Sequence, residues 1–340
     1  MHPGSPHWQP SCSLSTLRTR ALAIQAVREF FAARSYLEVD TPCLSSETVV
    51  DAWLEPPLLT TSSGKKFLQT SPEAMMKRLL AAGSGSIWQA ARVFRDGENG
   101  SRHNPEFTML EWYGVDTTWR QQMQLTELLV RRVLDRLPEN QCPLPTEPFH
   151  VLTYQQAFLD ALNCNPHTCT DRQLRQLAEQ HTDSHVDLLQ TAARDDLLNL
   201  LLGVVIEPLL GSRNGQPFPQ FLCDYPPSQA ALAVTELAHP DEDAIPVARR
   251  FELYINGTEL CNGYQELQNP AELLRREQEA NQRRRDDQRS TLPGAPRLIT
   301  AMQQGLPECS GVALGFDRLL MLAHGSDRIS DVLPFADDRA

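Results

Sequence analysis

Apolar side chains recur every three or four residues between 16 and 35, at Leu17, Ala21, Ile24, Val27 and Phe31. That period predicts an amphipathic helix. Residues 36–39 then switch to a short strand, stopped by Pro42. Residues 48–68 have the pattern of a strand and hairpin, with Gly64 at a turn. SPEAMMKRLLAAGSG, residues 71–85, predicts a helix that Ser71 can cap, Pro72 can start and Gly83 can end. IWQAARVFR over 87–95 and FTMLEWYGV over 107–115 predict an antiparallel strand pair joined by a long polar loop.

An amphipathic helix at 119–137 leads to a proline-rich connector at 138–150, then to a helical stretch with polar interruptions over 154–211. FPQFLCDYP at 218–226 reads as a strand, and 249–267 as a hairpin turning through Asn256-Gly257. Residues 270–290 predict a charged helix, with Arg283-Arg284-Arg285 as part of a solvated face. Residues 305–325 pass from a short strand through a glycine turn into a helix. The later strands pair as hairpins, there is no βαβ alternation, and no G-x-G-x-x-G opens a helix after a first strand. These features predict an α+β fold with a mainly antiparallel sheet flanked by helices. No internal repeat of fixed period is present.

Composition is ordinary for a globular chain of 340 residues, at 41% hydrophobic and 22% charged. No apolar run approaches the roughly 18 residues of a membrane span. The first residues, MHPGSPHWQPSCS, lack the basic and apolar regions of a secretory signal. Residues 1–15 are therefore expected to be a flexible tail and the protein to be cytoplasmic. A net charge of −12 argues against a chain whose main task is gripping a nucleic-acid backbone. The 8 cysteines are scattered, as reduced thiols would be. CNPHTC, 164–169, has no second ligand pair at a zinc spacing, so no metal is expected there.

Three stretches carry chemistry. RDGENGSRHNPEFTMLEWY, 95–113, packs Arg95, Glu98, Arg102, His103, Asn104 and Glu106 ahead of Phe107. It reads either as a solvated hairpin or as an ATP cradle. In the cradle, Arg95 holds a phosphate, Arg102 and His103 reach the far phosphates, and Phe107 offers a flat face to a purine. SGVALGFDRLLML brackets a strand-to-helix turn with Gly311 and Gly315 and sets Arg318 one turn into the helix. Small residues, a helix N-terminus and a forked cation suit a phosphate. TELCNGYQEL carries Glu259 and Glu266. Their odd separation would put them on opposite faces of a regular strand, unless Gly263 marks a bulge that reunites them. Paired in this way, they would suit a phosphate-bridging divalent cation or a cationic substrate.

Together these stretches resemble class II aminoacyl-tRNA synthetases of the lysyl type. FRDGENGSRHNPEFTMLEWY is similar to motif two and GVALGFDRL to motif three. AVREFFAARSYLEVDTPCLS is similar to motif one, the helix and strand that end at Pro42 and build a dimer interface. The resemblance runs from about residue 16 to the C-terminus and implies a single catalytic domain over 16–340. Barely fifteen residues precede motif one, so no anticodon-binding domain is expected. Ala313 stands where those synthetases have glycine, and DYPPSQAALA, with Ser228-Gln229, is closer to the truncated paralogues that ligate β-lysine to elongation factor P.

The resemblance implies a role for each matching position. Ser71, Pro72 and Glu73 match a substrate-binding segment, Tyr113 a substrate-contacting tyrosine, and Glu266 the carboxylate that recognises the lysine amine. Arg95 matches the arginine on the α-phosphate, followed by Asp96 and Gly97, with Asn104 as a nucleotide contact and Phe107 under the adenine. Glu259 and Leu260 match the ATP and Mg²⁺ strand, Glu259 being the metal ligand. Gly315 lines the adenine pocket and Arg318 meets the γ-phosphate. Ala313 reshapes the amino-acid pocket.

The chain departs from the family at Gly97, where a glutamate is usual. Glu98 follows one place later, so that contact is either lost or made by Glu98 from a shifted backbone. The implied cofactors are ATP and Mg²⁺, and the implied catalytic residues Arg95 and Arg318. The implied activity is AMP-forming transfer of (R)-β-lysine, with L-lysine weaker, to a lysine of elongation factor P by a cytoplasmic homodimer. tRNA and membranes are not expected partners. The alternatives are a tRNA-charging enzyme and a non-catalytic regulatory paralogue.

Overall fold

Ser13 opens the first helix, its hydroxyl accepting the Thr16 N–H at 3.1 Å, so the helix runs Leu14–Ala32. Its buried stripe is Ala23, Ala26, Val27, Phe30 and Phe31, whereas Ala21 is exposed and Leu17 and Ile24 only half-buried. The expected stripe is thus rotated. Phe31 sets the rotation by stacking on Trp88 at 5.0 Å and meeting Trp112 at 5.4 Å, while the two alanines admit close approach to the sheet. The structure, a computed structural model, describes residues 8–182, 186–238 and 245–340. Of the expected flexible tail, residues 1–7 lie outside the described residues. Ser11 is held by Pro334 O at 2.8 Å and by the Ala336 N–H at 2.9 Å.

The chain divides into two compact units, the first formed by Met1–Thr117, Gln124–Pro143 and Leu267–Ala340. Its sheet places Leu37–Glu38 parallel to Ile87–Phe94. Ile87–Phe94 pairs antiparallel with Glu106–Val115, and Glu106–Val115 antiparallel with Cys309–Gly315. The expected hairpin is Leu58–Thr61 with Gly64–Leu68, extended by Leu44–Ser45. The helix Glu73–Ala81 begins one residue later than predicted, with Pro72 rather than Ser71 at the N-cap, although Ser71 Oγ still accepts the Glu73 N–H at 3.0 Å. A helix at Pro296–Gly305 was not legible in the pattern.

The charged helix runs Pro270–Asp286, and here one expectation fails: Arg284 is fully buried rather than solvated. Its guanidinium is surrounded by backbone carbonyls and one carboxylate, which replace its water shell.

The second unit comprises Thr118–Met123 and Leu144–Glu266. His150–Thr153 lies parallel to Gln220–Tyr225, which pairs antiparallel with Pro246–Ile255. That strand also pairs antiparallel with Thr258–Gln265 and Thr235–Leu237. The hairpin turns through Asn256 and Gly257 at φ 50° and 64°, as its sequence predicts. The helical stretch resolves into Tyr154–Leu162, Asp171–His181, Val186–Thr191 and Arg194–Leu201, with residues 183–185 outside the described set. These strands belong to one nine-stranded sheet, mainly antiparallel and carried with helices, so the α+β expectation holds.

Candidate active site

In the first unit, strand period two gathers chemistry on one sheet face. Phe107, Met109, Glu111 and Tyr113 alternate along Glu106–Val115 and so share a face. Across Cys309–Gly315 their neighbours in register are Gly315 beside Met109, Ala313 beside Glu111 and Gly311 beside Tyr113. Small residues there keep short side chains beside Met109, Glu111 and Tyr113, all three of them buried. The other face carries Trp88, Leu110 and Trp112 in the core.

The loop above this face is tied down at several points. The Arg95 N–H donates to Pro105 O at 2.9 Å, and its guanidinium stands 5.1 Å from the Phe107 ring centroid. Arg95 Nε is buried without a hydrogen-bond partner, an orphan donor that a bound anion would satisfy. Gly97 takes a φ of 81°, which suits glycine. Glu98 Oε1 lies 3.5 Å from the Arg95 guanidinium. Asp96 donates its N–H to Glu55 O at 2.8 Å.

His103 Nε2 lies 2.9 Å from the Arg318 guanidinium. Burial, then the Arg318 charge, hold the imidazole below its ordinary range, so it accepts as a neutral ring. Asn104 is buried, and its amide is committed to its own chain: Nδ2 donates to Glu106 O at 2.7 Å and Oδ1 accepts the Asp337 N–H at 3.0 Å. Below Arg318, Asp317 accepts the Thr108 N–H at 2.6 Å and pairs with Arg20, which fixes the glycine turn and helix Phe316–His324 against the sheet.

Glu111 is buried at the centre of this face. Ser71 Oγ donates to it at 2.8 Å and Tyr113 Oη at 2.6 Å. Burial, and then the charge of Glu73, push its carboxyl up to about 8. Glu73 pairs with the buried Lys77 at 2.5 Å, and Pro72 sits at that helix's N-cap position. Ser71, Glu73 and Tyr113 are therefore brought together as expected, around a carboxyl that the sequence motifs do not single out.

In the second unit the register settles the question of the two glutamates. Glu259 faces Tyr254 and Cys261 faces Leu253, so the extra residue is Leu260. The bulge exists, but not at Gly263, which pairs in register with Phe251. Gly263 is small for another reason: a Cβ there would lie 2.4 Å from the Phe251 ring. The bulge puts Glu259 on the face of Tyr254, Glu252 and Asn262, and period two carries Glu266 onto the same face.

Glu252, also unforeseen, receives Tyr225 Oη at 2.5 Å, Tyr254 Oη at 2.6 Å, Arg250 at 2.5 Å and Asn262 Nδ2 at 3.1 Å. Arg250 continues to Gln229 O at 2.7 Å, which anchors the Ser228-Gln229 segment. Burial raises both tyrosines well above their usual range, so they remain donors. Among the described residues no three His, Cys, Asp or Glu side chains form a metal cluster. A phosphate-bridging Mg²⁺ asks for only one or two carboxylates, and on this face Glu259 has that donor chemistry, whereas both Glu252 oxygens are already engaged by four donors.

Glu111 and Glu252 each had a signal in the sequence, as a lone carboxylate within an apolar strand (FTMLEWYGV and FELYI). Lys77, Arg20 and Asp317 had none, because their meaning depends on distant partners.

The chain matches the family described as tRNA synthetases class II (D, K and N) over residues 9–339. It is 43% identical over 341 residues to an elongation factor P–(R)-β-lysine ligase of Vibrio cholerae, covering 98% of each chain. Ligases of the same name from Pectobacterium atrosepticum and Yersinia enterocolitica are 41% identical over 340 residues and 42% over 343, again covering 98% of each chain. No helix among the described residues is long and apolar enough to cross a membrane.

Proposed function

Because the chain belongs to the class II tRNA synthetase family and, within it, to the elongation factor P–(R)-β-lysine ligases, we propose that it activates (R)-β-lysine with ATP and transfers it to the ε-amino group of a lysine on elongation factor P. The observation that carries this reading is the single sheet face holding Phe107, Glu111, Tyr113 and Ala313, with Arg95 at its edge.

The reaction has two steps. The β-lysine carboxylate attacks the α-phosphorus of ATP, a P–O bond forms, and pyrophosphate leaves. The acceptor amine then attacks the acyl carbon, an amide forms, AMP leaves and a proton passes to solvent. Arg95 takes the α-phosphate and Arg318, held by His103, the γ-phosphate. Fixed cations lower both barriers by positioning and by charge stabilisation.

Phe107 lies under the adenine beside Gly315, while Asp96, Gly97 and Asn104 shape the loop. Ser71, Glu73, Tyr113 and Glu111 orient the amino acid, and Glu266 receives its side-chain ammonium. Glu259 would hold Mg²⁺, which would supply charge neutralisation at the phosphates, and Leu260 would line the nucleotide. The protein works as a cytoplasmic homodimer through its motif-one segment, with L-lysine a weaker substrate and tRNA not an acceptor.

ATP–pyrophosphate exchange against a panel of amino acids tests this. Exchange strongest with (R)-β-lysine is expected. Absence of exchange with every amino acid would make the chain a binding module.

A further inference from the structure

The segment between Leu44–Ser45 and Leu58–Thr61 contains no helix or strand, yet five successive carbonyls of it are engaged. Arg284 donates to Asp51 O at 3.2 Å and Leu54 O at 3.0 Å. Arg289 donates to Ala52 O and, at 3.1 Å, to Trp53 O. Glu55 O accepts the Asp96 N–H at 2.8 Å.

The Glu55 carboxylate joins the two arginines, each guanidinium lying 2.7 Å from Oε2. Burial alone would raise this carboxyl, but hydrogen bonds from Arg289 and Arg284 hold it below the usual carboxylate range. Arg284 is fully buried and also donates to Ser290 O at 2.7 Å. Asp51 closes the segment from within, its Oδ1 accepting the Trp53 and Leu54 N–H groups at 2.6 and 2.8 Å.

The far end of this arrangement is the root of the loop that begins at Arg95. Three successive amides there find acceptors on three different segments: Phe94 on Gln69 O at 2.9 Å, Arg95 on Pro105 O at 2.9 Å, and Asp96 on Glu55 O at 2.8 Å. Two of the acceptors lie in or beside regular strands. The third lies on a segment that two guanidiniums hold in shape. A guanidinium spans neighbouring carbonyls and a carboxylate with five donors in a fixed plane, where an ammonium offers three around a single point.

We infer that Arg284, Arg289 and Glu55 form a clasp that positions Arg95 by fixing the Glu55 carbonyl beneath Asp96. They are positioning residues, and the inference rests on the proposed nucleotide role of Arg95. Arg284 is too deeply buried for a clean substitution, whereas Arg289 is partly exposed. The test therefore compares Arg289→Ala, Arg289→Lys and the parent by exchange kinetics, thermal melting, and amide hydrogen exchange over residues 96–100.

In Arg289→Ala the amides of 96–100 should exchange faster. The kcat of ATP–pyrophosphate exchange should fall about 10- to 100-fold, the scale of a small misplacement, with the KM for the amino acid unchanged. Arg289→Lys should recover part of both effects. Unchanged hydrogen exchange at 96–100 overturns the clasp whatever the activity. Faster exchange there with an unchanged kcat overturns its positioning role. Faster exchange in the variant of a parent that catalyses nothing would leave the clasp standing and defeat the proposed reaction instead.

Discussion

Arg318 and His103 are joined across 2.9 Å, guanidinium to ring nitrogen, and this contact ties the helix after the glycine turn to the loop that begins at Arg95. The ring accepts only while neutral. Its pKa is lowered, first by burial and then by Arg318, so the neutral form is favoured in the folded protein. The contribution is therefore fully present above the ordinary histidine range near 6.5. It fades as pH falls through the lowered folded value. The affinity for ATP should be flat above about pH 7 and weaken in acid. His103→Gln, which retains an acceptor, should stay close to the parent at neutral pH and lose the acid limb. A parent ATP affinity that does not change between neutral and acid pH would count against this contact.

Glu111 predicts a proton release. Its carboxyl is pushed up to about 8, first by burial and then by Glu73, so at neutral pH it is largely protonated. A bound ammonium beside it would favour the carboxylate. Binding of β-lysine near neutrality should then expel a proton, visible as a dependence of binding heat on the buffer's ionisation heat. For stability the sign is opposite to that of an ion-paired acid. A raised carboxyl stabilises fully below its unfolded value near 4.5, and that contribution is lost as pH rises toward 8. Glu111→Gln should flatten melting temperature across that window and abolish the proton release.

Ala313 sits in register beside Glu111, so its methyl group borders the proposed amino-acid pocket. Removing it in Ala313→Gly should shift the ratio of kcat/KM between α-lysine and β-lysine toward α-lysine by about tenfold, the low end for one methyl-sized change. An unchanged ratio would dissociate this position from selectivity.

Glu259→Gln should lower exchange by about 100-fold, the scale of a lost electrostatic contact in catalysis. Raised Mg²⁺ should return part of that rate. Equal loss at every Mg²⁺ concentration would argue that Glu259 does not hold the ion.

Asp317 is buried and receives both Arg20 and the Thr108 N–H. Asp317→Ala leaves a guanidinium without its partner and should destabilise the fold by about 3 kcal/mol, read by chemical denaturation.

Much of this was legible because it depends on local chemistry. Ser71 and Asn256-Gly257 act within a few residues of themselves, and strand period two puts Phe107 and Tyr113 on one face without tertiary knowledge. What escaped depends on a partner. The bulge falls at Leu260 because the opposing strand sets the register there, whereas Gly263 is small to clear Phe251. Arg284 stands in a run of arginines that looks solvated. Only the carbonyls of Asp51 and Leu54, far away in sequence, make it a core residue. In the first helix Val27 and Phe31 of the predicted stripe are buried, but Leu17, Ala21 and Ile24 are not, since the stacking of Phe31 on Trp88 turns the face toward Ala23 and Ala26. Asn104 carries a polar amide that the sequence cannot show to be spent on Glu106 and Asp337.

The most direct measurement is the mass of elongation factor P after incubation with this protein, ATP, Mg²⁺ and (R)-β-lysine, run beside bulk tRNA. The account predicts one β-lysyl group on a lysine of the factor, AMP in equal amount, and no acylated tRNA. An unmodified factor beside charged tRNA would contradict it.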